Sequence, residues 1–235
     1  MFIRGTQIVA TAICAWLLMG CGPVGPSAPS PFAPGPDTEP VPLRVGFQAL
    51  VKQQRTHIMN ARGACTGIAK LVIDATAAAD FEGINGFKAG ESLTFDTPGC
   101  SALNIAGSLT RFYDMNYAPT GESTPGKVYA QIQGAGVPLP LTVQLGDNAP
   151  YATFNLFADS TKAVNTGTRV LSYLVEQETI RTVLIGLMAR DYDPSGKLLR
   201  TRTDHYRLAG NGQMELRSID FLENVTGESV QLTIV

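Results

Sequence analysis

The stretch RVLSYLVEQETIRTVLIGLMAR, residues 169–190, decides the fold class of this chain. Its two ends, 169–176 and 180–190, are rich in β-branched and aliphatic residues, and a short polar segment separates them. Apolar side chains stand at both odd and even positions, which is typical of a strand that is covered on both faces. We therefore predict two neighbouring central strands here.

Similar segments extend outward from this stretch in both directions. Clusters of Gly, Pro, Asn and Asp separate them, which is the pattern of an all-β fold. They include 43–51, 66–74, 92–96, 103–113, 128–132, 139–145, 151–158, 197–208, 213–222 and 229–235. In the last of these, Val230, Leu232 and Ile234 alternate with polar residues, so we expect a paired strand. Residues 77–80 could hold a single helical turn.

About eleven predicted strands between residues 43 and 235 indicate an antiparallel β-sandwich. One sandwich and two tandem sandwiches that split near residue 122 both fit the pattern. We favour a single unit, because neither half alone has many core residues. Residues 114–126 lack an apolar period and are long for a plain connection, so this segment is either a functional loop or a linker.

The first 20 residues have the pattern of a signal peptide. Arg4 is the only charge before residue 37, and residues 5–20 are apolar, small or weakly polar. A permanent membrane-spanning anchor is the weaker alternative, because polar residues interrupt the run and a Gly/Pro-rich segment follows it.

The end of this run, Leu18-Met19-Gly20-Cys21, resembles the lipobox of bacterial lipoproteins. The resemblance implies cleavage before Cys21 and acylation of Cys21 with fatty acids such as palmitate. Two or more acyl chains anchor a protein stably to a membrane. Gly22, rather than Asp, then favours the outer membrane if the host is Gram-negative. An ordinary signal peptide with a chance cysteine is the alternative.

Residues 21–42 contain eight prolines among Gly, Ser and Ala. Such a composition cannot build a core and favours extended polyproline II. We expect a disordered tether between the lipid and a folded domain at 43–235. A docking site for a proline-recognising partner is the alternative.

Charge and cysteine content limit the possible functions. Without Arg4, 17 Lys and Arg stand against 20 Asp and Glu, a formal charge of −3, and no basic stripe points to nucleic acid. Once Cys14 is removed and Cys21 is acylated, Cys65 and Cys100 remain as a predicted disulfide. A metal pair or a reactive thiol is the alternative, but the two histidines lack ligand spacing, and we expect no cofactor.

No enzyme motif stands out. Asp191–Lys197 resembles the start of a calcium loop, but the twelfth position is Arg202 instead of Glu, so we predict a β-hairpin. Asp204 and His205 are neighbours on a predicted strand and therefore point to opposite faces. There is neither a nucleophile elbow nor a phosphate-binding loop.

Phe112, Tyr113, Asp114, Asn116 and Tyr117 are the candidate ligand-binding residues, because they combine aromatic faces with hydrogen-bonding groups beside a long loop. Packing of Phe112 or Tyr113 in the core is the alternative. We expect a non-catalytic interaction or structural module that docks an envelope protein. A glycan- or peptide-binding module that uses the 112–122 loop is the alternative, and a hydrolase is the second alternative.

Overall fold

The computed structural model describes residues 39–96 and 105–235. These residues form the following elements: α1 (Leu43–Val51), β1 (Arg55–Gly63), β2 (Gly67–Ile73), β3 (Ala77–Phe81), β4 (Ile84–Phe95), β5 (Gly107–Asp114), β6 (Pro119–Thr124), β7 (Val128–Ile132), β8 (Asn148–Phe157), β9 (Asn165–Gln177), β10 (Thr182–Tyr192), β11 (Leu198–Ala209), β12 (Met214–Glu223) and β13 (Ser229–Ile234). No helix within these ranges has the length and apolarity needed to cross a membrane.

The strands form one antiparallel sheet that closes on itself. Its order is β2-β1-β13-β12-β11-β10-β9-β8-β7-β6-β5-β4-β3, and β4 also pairs with β2. The result is a closed twelve-stranded barrel with β3 as one extra strand. The predicted sandwich is therefore wrong. Alternating polarity shows that each strand has one buried face, but both a sandwich and a closed barrel produce that pattern.

The two strands predicted from residues 169–190 are β9 and β10, and they pair along their length. Leu171, Val175 and Ile185 point into the interior of the barrel, the lumen, and are buried. The prediction that these strands are covered on both faces is wrong. Val170 and Met188 lie half-buried on the outer face, and no second sheet of the described residues covers them. When hydrophobic residues lie on the outer face of a barrel strand, its hydropathy pattern resembles that of a strand buried on both faces.

Residues 43–51, predicted as a strand, form helix α1 instead. Leu43, Gly46, Leu50 and Val51 are its buried residues, and their spacing is the i, i+3, i+7, i+8 pattern of a helix face. They pack against lumen residues such as Leu208 at one end of the barrel. Helix α1 therefore closes that end.

A second segment covers the same end. Residues 133–147 connect β7 to β8, and the strand predicted at 139–145 is absent apart from one bridge between Val41 and Val143. Leu139 and Val143 are nevertheless buried, and the Arg44 side chain of α1 donates to the Leu139 carbonyl at 2.6 Å. The alternating apolar residues over 139–145 therefore belong to an irregular segment that packs against α1, and not to a strand.

Two further predictions fail in the first half of the barrel. Residues 77–80 belong to strand β3 instead of a helical turn. Residues 119–124, placed in a loop or linker, form β6, which pairs with β5 and β7. The lumen-facing side chains of β6 include Thr120 and Glu122, so hydropathy gives no strand signal there.

The β3–β4 hairpin folds over the outside of the barrel. The Phe81 ring stacks on Phe112 with ring centroids 4.2 Å apart and lies directly on Gly121. A Cβ atom at Gly121 would be 2.0 Å from the Phe81 ring, so only glycine permits this contact. The hairpin thus buries Phe81 against β5 and β6.

The lumen contains two apolar clusters. The larger includes residues of α1, β1, β2, β4 and β9–β13, and its fully buried residues include Met59, Leu71, Ile219 and Leu232. The smaller lies on the opposite side of the barrel, on β7, β8 and β9, and its members are Ala130, Ala152, Phe154, Leu156 and Leu171. Strands β4–β6 and β9–β11 form two facing walls of the lumen.

Candidate functional site

Charged side chains join the two walls of the lumen. Four of them are acidic and four are arginines, and we call these eight residues the charge layer: Glu91, Arg111, Glu122, Arg169, Asp191, Arg200, Arg202 and Asp204. They stand at alternate positions of their strands, and alternate positions share one face.

Two ion pairs cross the lumen. Arg202 on β11 donates from Nη1 to Glu91 Oε1 on β4 at 2.6 Å, and Arg169 on β9 binds Glu122 on β6. Arg111 binds Glu91 and also lies 3.4 Å from Glu122, which connects the two pairs.

Two aspartates complete the charge layer. Asp204 accepts two hydrogen bonds from Arg202, at 2.6 and 3.0 Å. Asp191 accepts two from Arg169, at 2.6 and 2.8 Å, and one from Arg200 at 3.1 Å. Such bidentate pairs are strong and geometrically specific. The eight residues therefore form one continuous network.

The network keeps the carboxylates of Glu91 and Asp191 ionised. Burial alone would raise the pKa of Glu91, but the guanidinium groups of Arg111 and Arg202 lower this pKa to about 2. Burial likewise opposes ionisation of Asp191, and its bonds with Arg169 hold its pKa below the ordinary value. Each positive charge in the layer thus has a negative partner, as a buried network requires.

Arg55 is a fifth arginine on the lumen face, and it stands outside this network. Its Nε and Nη1 atoms are buried and have no hydrogen-bond partner in the described part of the chain. Burial lowers the pKa of the Arg55 guanidinium, with smaller opposing effects from Tyr206, Tyr113 and Glu91. Four acids and four arginines balance in the charge layer, so Arg55 adds one uncompensated positive charge to the lumen.

Arg55 lines a cavity of about 90 Å³ between α1 and the charge layer. Much of the wall is apolar or aromatic and includes Phe47, Leu50, Ile73, Tyr113, Tyr151, Leu171, Leu187 and Tyr206. One water needs roughly 10–15 Å³ of such space. The cavity therefore accommodates several waters or a small organic molecule.

Tyr113, Tyr151 and Tyr206, which line the cavity, stay protonated at neutral pH. Burial raises the pKa of Tyr113 to about 12 and raises the pKa values of Tyr151 and Tyr206 as well. A protonated phenol is a hydrogen-bond donor. The paired residues Arg111, Glu122, Arg202 and Asp204 also line the cavity. The cavity consequently combines hydroxyl donors, the charge of Arg55 and paired charges of the charge layer with an apolar wall.

The five predicted ligand-binding residues do not form one site, although two of them line the same cavity. Phe112 stacks on Phe81 outside the barrel, Tyr113 lines the lumen cavity, and the buried Tyr117 stacks on Phe87 at 4.8 Å. The Asp114 carboxylate accepts the backbone N–H groups of Asn116 and Ala118, both at 2.8 Å, and so shapes the turn before β6. Of the five, Tyr113 and Tyr117 line the cavity.

The histidines lie on different faces of the wall. His205 Nε2 is 2.9 Å from Asp220 on the outer face, while Asp204 points into the lumen, as predicted for neighbours on a strand. His57 lies on the same strand face as Arg55, and its buried Nε2 has no partner among the described residues. Burial and the Arg55 charge lower the pKa of His57, so its ring is neutral at pH 7.

The predicted hairpin at 191–197 is confirmed. Strands β10 and β11 pair across it, and Asp193 Oδ1 accepts the backbone N–H groups of Ser195 and Lys197 at 2.8 and 2.9 Å. Asp191, which opened the apparent calcium loop, belongs to the charge layer. Among the residues that the structure describes, no group of three or more His, Cys, Asp or Glu is placed to hold a metal ion.

Two predicted modifications fall on cysteines outside the described residues. Cys21, the predicted site of acylation, lies in the range 1–38, and Cys100 lies in the range 97–104. Cys65 is buried. Acylation and the disulfide between Cys65 and Cys100 stay predictions.

Sequence reasoning missed the charge layer and Arg55. A signal was present in β11, where Arg200, Arg202 and Asp204 stand at alternate positions and share a face with Tyr206 and Leu208, which are both buried.

Comparisons with protein-family models, curated proteins and solved structures find no match to this chain.

Proposed function

We propose that the protein is a non-catalytic binding module of the cell envelope. Lipid on Cys21 anchors it to a membrane, and the barrel takes up a small molecule in the cavity beside α1. The observation that carries this proposal is the cavity of about 90 Å³ with an arginine that has no ionic partner among the described residues.

A binding role accounts for this cavity better than a purely structural one. Protein interiors are close-packed, and apolar pockets with a few polar groups are the usual form of small-molecule sites. Leu171 and Leu187 supply apolar wall, while Tyr113, Tyr151 and Tyr206 supply hydroxyl groups. The charge layer is internally paired, so it supplies rigidity to one side of the cavity.

The interaction-module hypothesis has less support at the sheet edge. The barrel closes through pairing of β2 with β4, which leaves β3 as the strand with a free edge in the described part of the chain. Strand β3 is only five residues long, at Ala77–Phe81. A glycan site at residues 112–117 is disfavoured, because only Tyr113 and Tyr117 of its five predicted residues line the cavity and Phe112 lies outside the barrel.

The test fills the cavity and measures binding of a neutral probe. Leu187 lines the cavity, so Leu187→Trp should abolish fluorobenzene binding that ¹⁹F NMR detects in the wild type. Leu184→Trp is the matched control, because Leu184 lies on the outer face of the same strand, and this variant should bind like the wild type. Absence of binding to the wild type, or equal binding to both variants, would overturn the proposal.

A further inference from the structure

We propose that the cavity binds a monoanionic carboxylate on a short apolar body and that Arg55 binds the carboxylate. This inference rests on the proposed function and names the ligand class of the same cavity. It follows from four features: charge balance, donor geometry, wall chemistry and the absence of a competing internal carboxylate.

Charge balance calls for one negative charge. The four acids of the charge layer are matched by its four arginines, and Arg55 is left over. A buried charge without a partner is unfavourable, and so are buried N–H groups without acceptors. A single carboxylate would satisfy both requirements, because it brings one negative charge and two acceptor oxygens.

The donors around Arg55 suit a carboxylate. A guanidinium presents a planar fork of N–H groups that matches two carboxylate oxygens. Tyr206 and Tyr113 line the same cavity as Arg55. Their hydroxyls stay protonated and can donate to a bound anion, but they bring no negative charge of their own.

The wall chemistry restricts the rest of the ligand. Phe47, Leu50 and Leu187 offer no hydrogen-bonding side chains. The charged residues that also line the cavity, Arg111, Glu122, Arg202 and Asp204, are already paired, so a sugar would compete with buried ion pairs for its hydrogen bonds. A phosphate monoester carries close to two negative charges at neutral pH and would leave one of them uncompensated. An aliphatic or aromatic acid of a few carbons matches both the wall and the cavity volume.

No carboxylate of the charge layer is free to take this place. Glu91 is the acid whose charge acts on Arg55, but Arg111 and Arg202 already bind both of its oxygens. Moving Glu91 toward Arg55 would break two buried ion pairs to make one. The partner of Arg55 must therefore come from outside the charge layer.

The test compares ligands that differ only in the head group. Calorimetry on the wild-type protein should show hexanoate binding at least about tenfold more tightly than hexan-1-ol or hexyl phosphate, since hydrogen bonds to a charged group contribute that much. Arg55→Met should abolish the preference for hexanoate and keep hexan-1-ol binding, and Arg55→Lys should retain part of the preference. Arg62→Met is the matched control, because Arg62 is exposed on the outer face of the same strand.

The outcomes separate this inference from the proposed function. Equal affinity for hexanoate and hexan-1-ol would overturn the carboxylate assignment and leave the cavity-binding function in place. Tighter binding of hexyl phosphate would also overturn the assignment. If none of the three probes nor fluorobenzene binds, both proposals fail. Without ligand, Arg55→Met should melt no lower than the wild type, and a lower melting temperature would show that Arg55 already has a partner.

Discussion

Glu91 shows how a charged side chain becomes a core residue in this barrel. Its side chain is 5% exposed, and it binds Arg111 on the neighbouring strand and Arg202 across the lumen. Both carboxylate oxygens are used. A buried acid is tolerated when it is paired in this way, and removal of one partner leaves an unpaired buried charge.

At the residue scale, we expect Glu91→Gln to lower the free energy of unfolding by about 3 kcal/mol, because Arg111 and Arg202 lose their shared anion. Urea denaturation at pH 7 measures the change. Glu215→Gln is the control, because Glu215 is exposed on the outer face of β12 and its loss should be nearly neutral.

The effect of Glu91→Gln should depend on pH. Because the pKa of Glu91 is about 2 in the folded protein and 4.5 ordinarily, ionised Glu91 stabilises the fold above pH 4.5. That contribution is lost as the pH falls through 4.5 toward 2. The difference in unfolding free energy between the wild type and the variant should therefore shrink over this range. A difference that stays constant down to pH 2 would contradict the assigned ion pairs.

At the scale of elements, α1 is the clearest failure of sequence-based prediction. The sequence LRVGFQALV over 43–51 has apolar residues at positions that suit a short strand as well as a helix face. Pro42 precedes the helix without a side-chain cap, so the usual start signal is missing. Burial against Leu208 and Met214 at the barrel end selects the helix.

Gly46 is the contact point of α1 with the barrel. A Cβ atom there would lie 2.8 Å from the Gly212 carbonyl oxygen and 2.9 Å from Leu208 Cδ1. Gly46→Ala should therefore destabilise the protein by about 1–2 kcal/mol through overpacking, although alanine favours an isolated helix. Thermal unfolding measures the change, and Val45→Ala is the control because Val45 is 58% exposed. A higher melting temperature for Gly46→Ala would contradict this packing.

Strands with apolar lumen residues were predictable, whereas those with polar lumen residues were not. The strand at 229–234 was recognised because Val230 and Leu232 alternate with polar residues, and both are buried. Strand β6 was missed because Glu122 and Thr120 occupy its buried positions. Lumen-facing and outward-facing residues alternate in both strands. A hydropathy pattern reveals this alternation only where the lumen-facing residues are apolar.

At the scale of the whole molecule, closure of the barrel depends on contacts between distant parts of the chain. Strand β1 pairs with β13 near the C-terminus, and β2 pairs with β4. These pairings remove the open edges that a sandwich would keep. Closure also creates the lumen, and with it the charge layer and the cavity.

The membrane anchor is a prediction about the whole molecule. Cys21→Ser should release the protein from the membrane fraction into the soluble fraction, because acyl chains supply the binding energy. Cys14→Ser is the control, because Cys14 precedes the predicted cleavage site and should not affect membrane retention. Cell fractionation followed by immunoblotting measures both variants. Retention of the Cys21→Ser protein at the membrane would contradict a lipid anchor.

Local sequence determined the β-strands of the second half, the hairpin at Asp193–Gly196 and the polarity of most strand faces. These features depend on residues that are close in the chain, so their patterns can be read directly. Only the tertiary structure decided that the sheet closes, that α1 seals one end and that Arg55 faces a cavity with no ionic partner in the part of the chain that the structure describes. Arg202 and Glu91 are 111 residues apart, and no local pattern shows that they meet. Their pairing, and the exclusion of Arg55 from it, exist only once the barrel has brought opposite walls together.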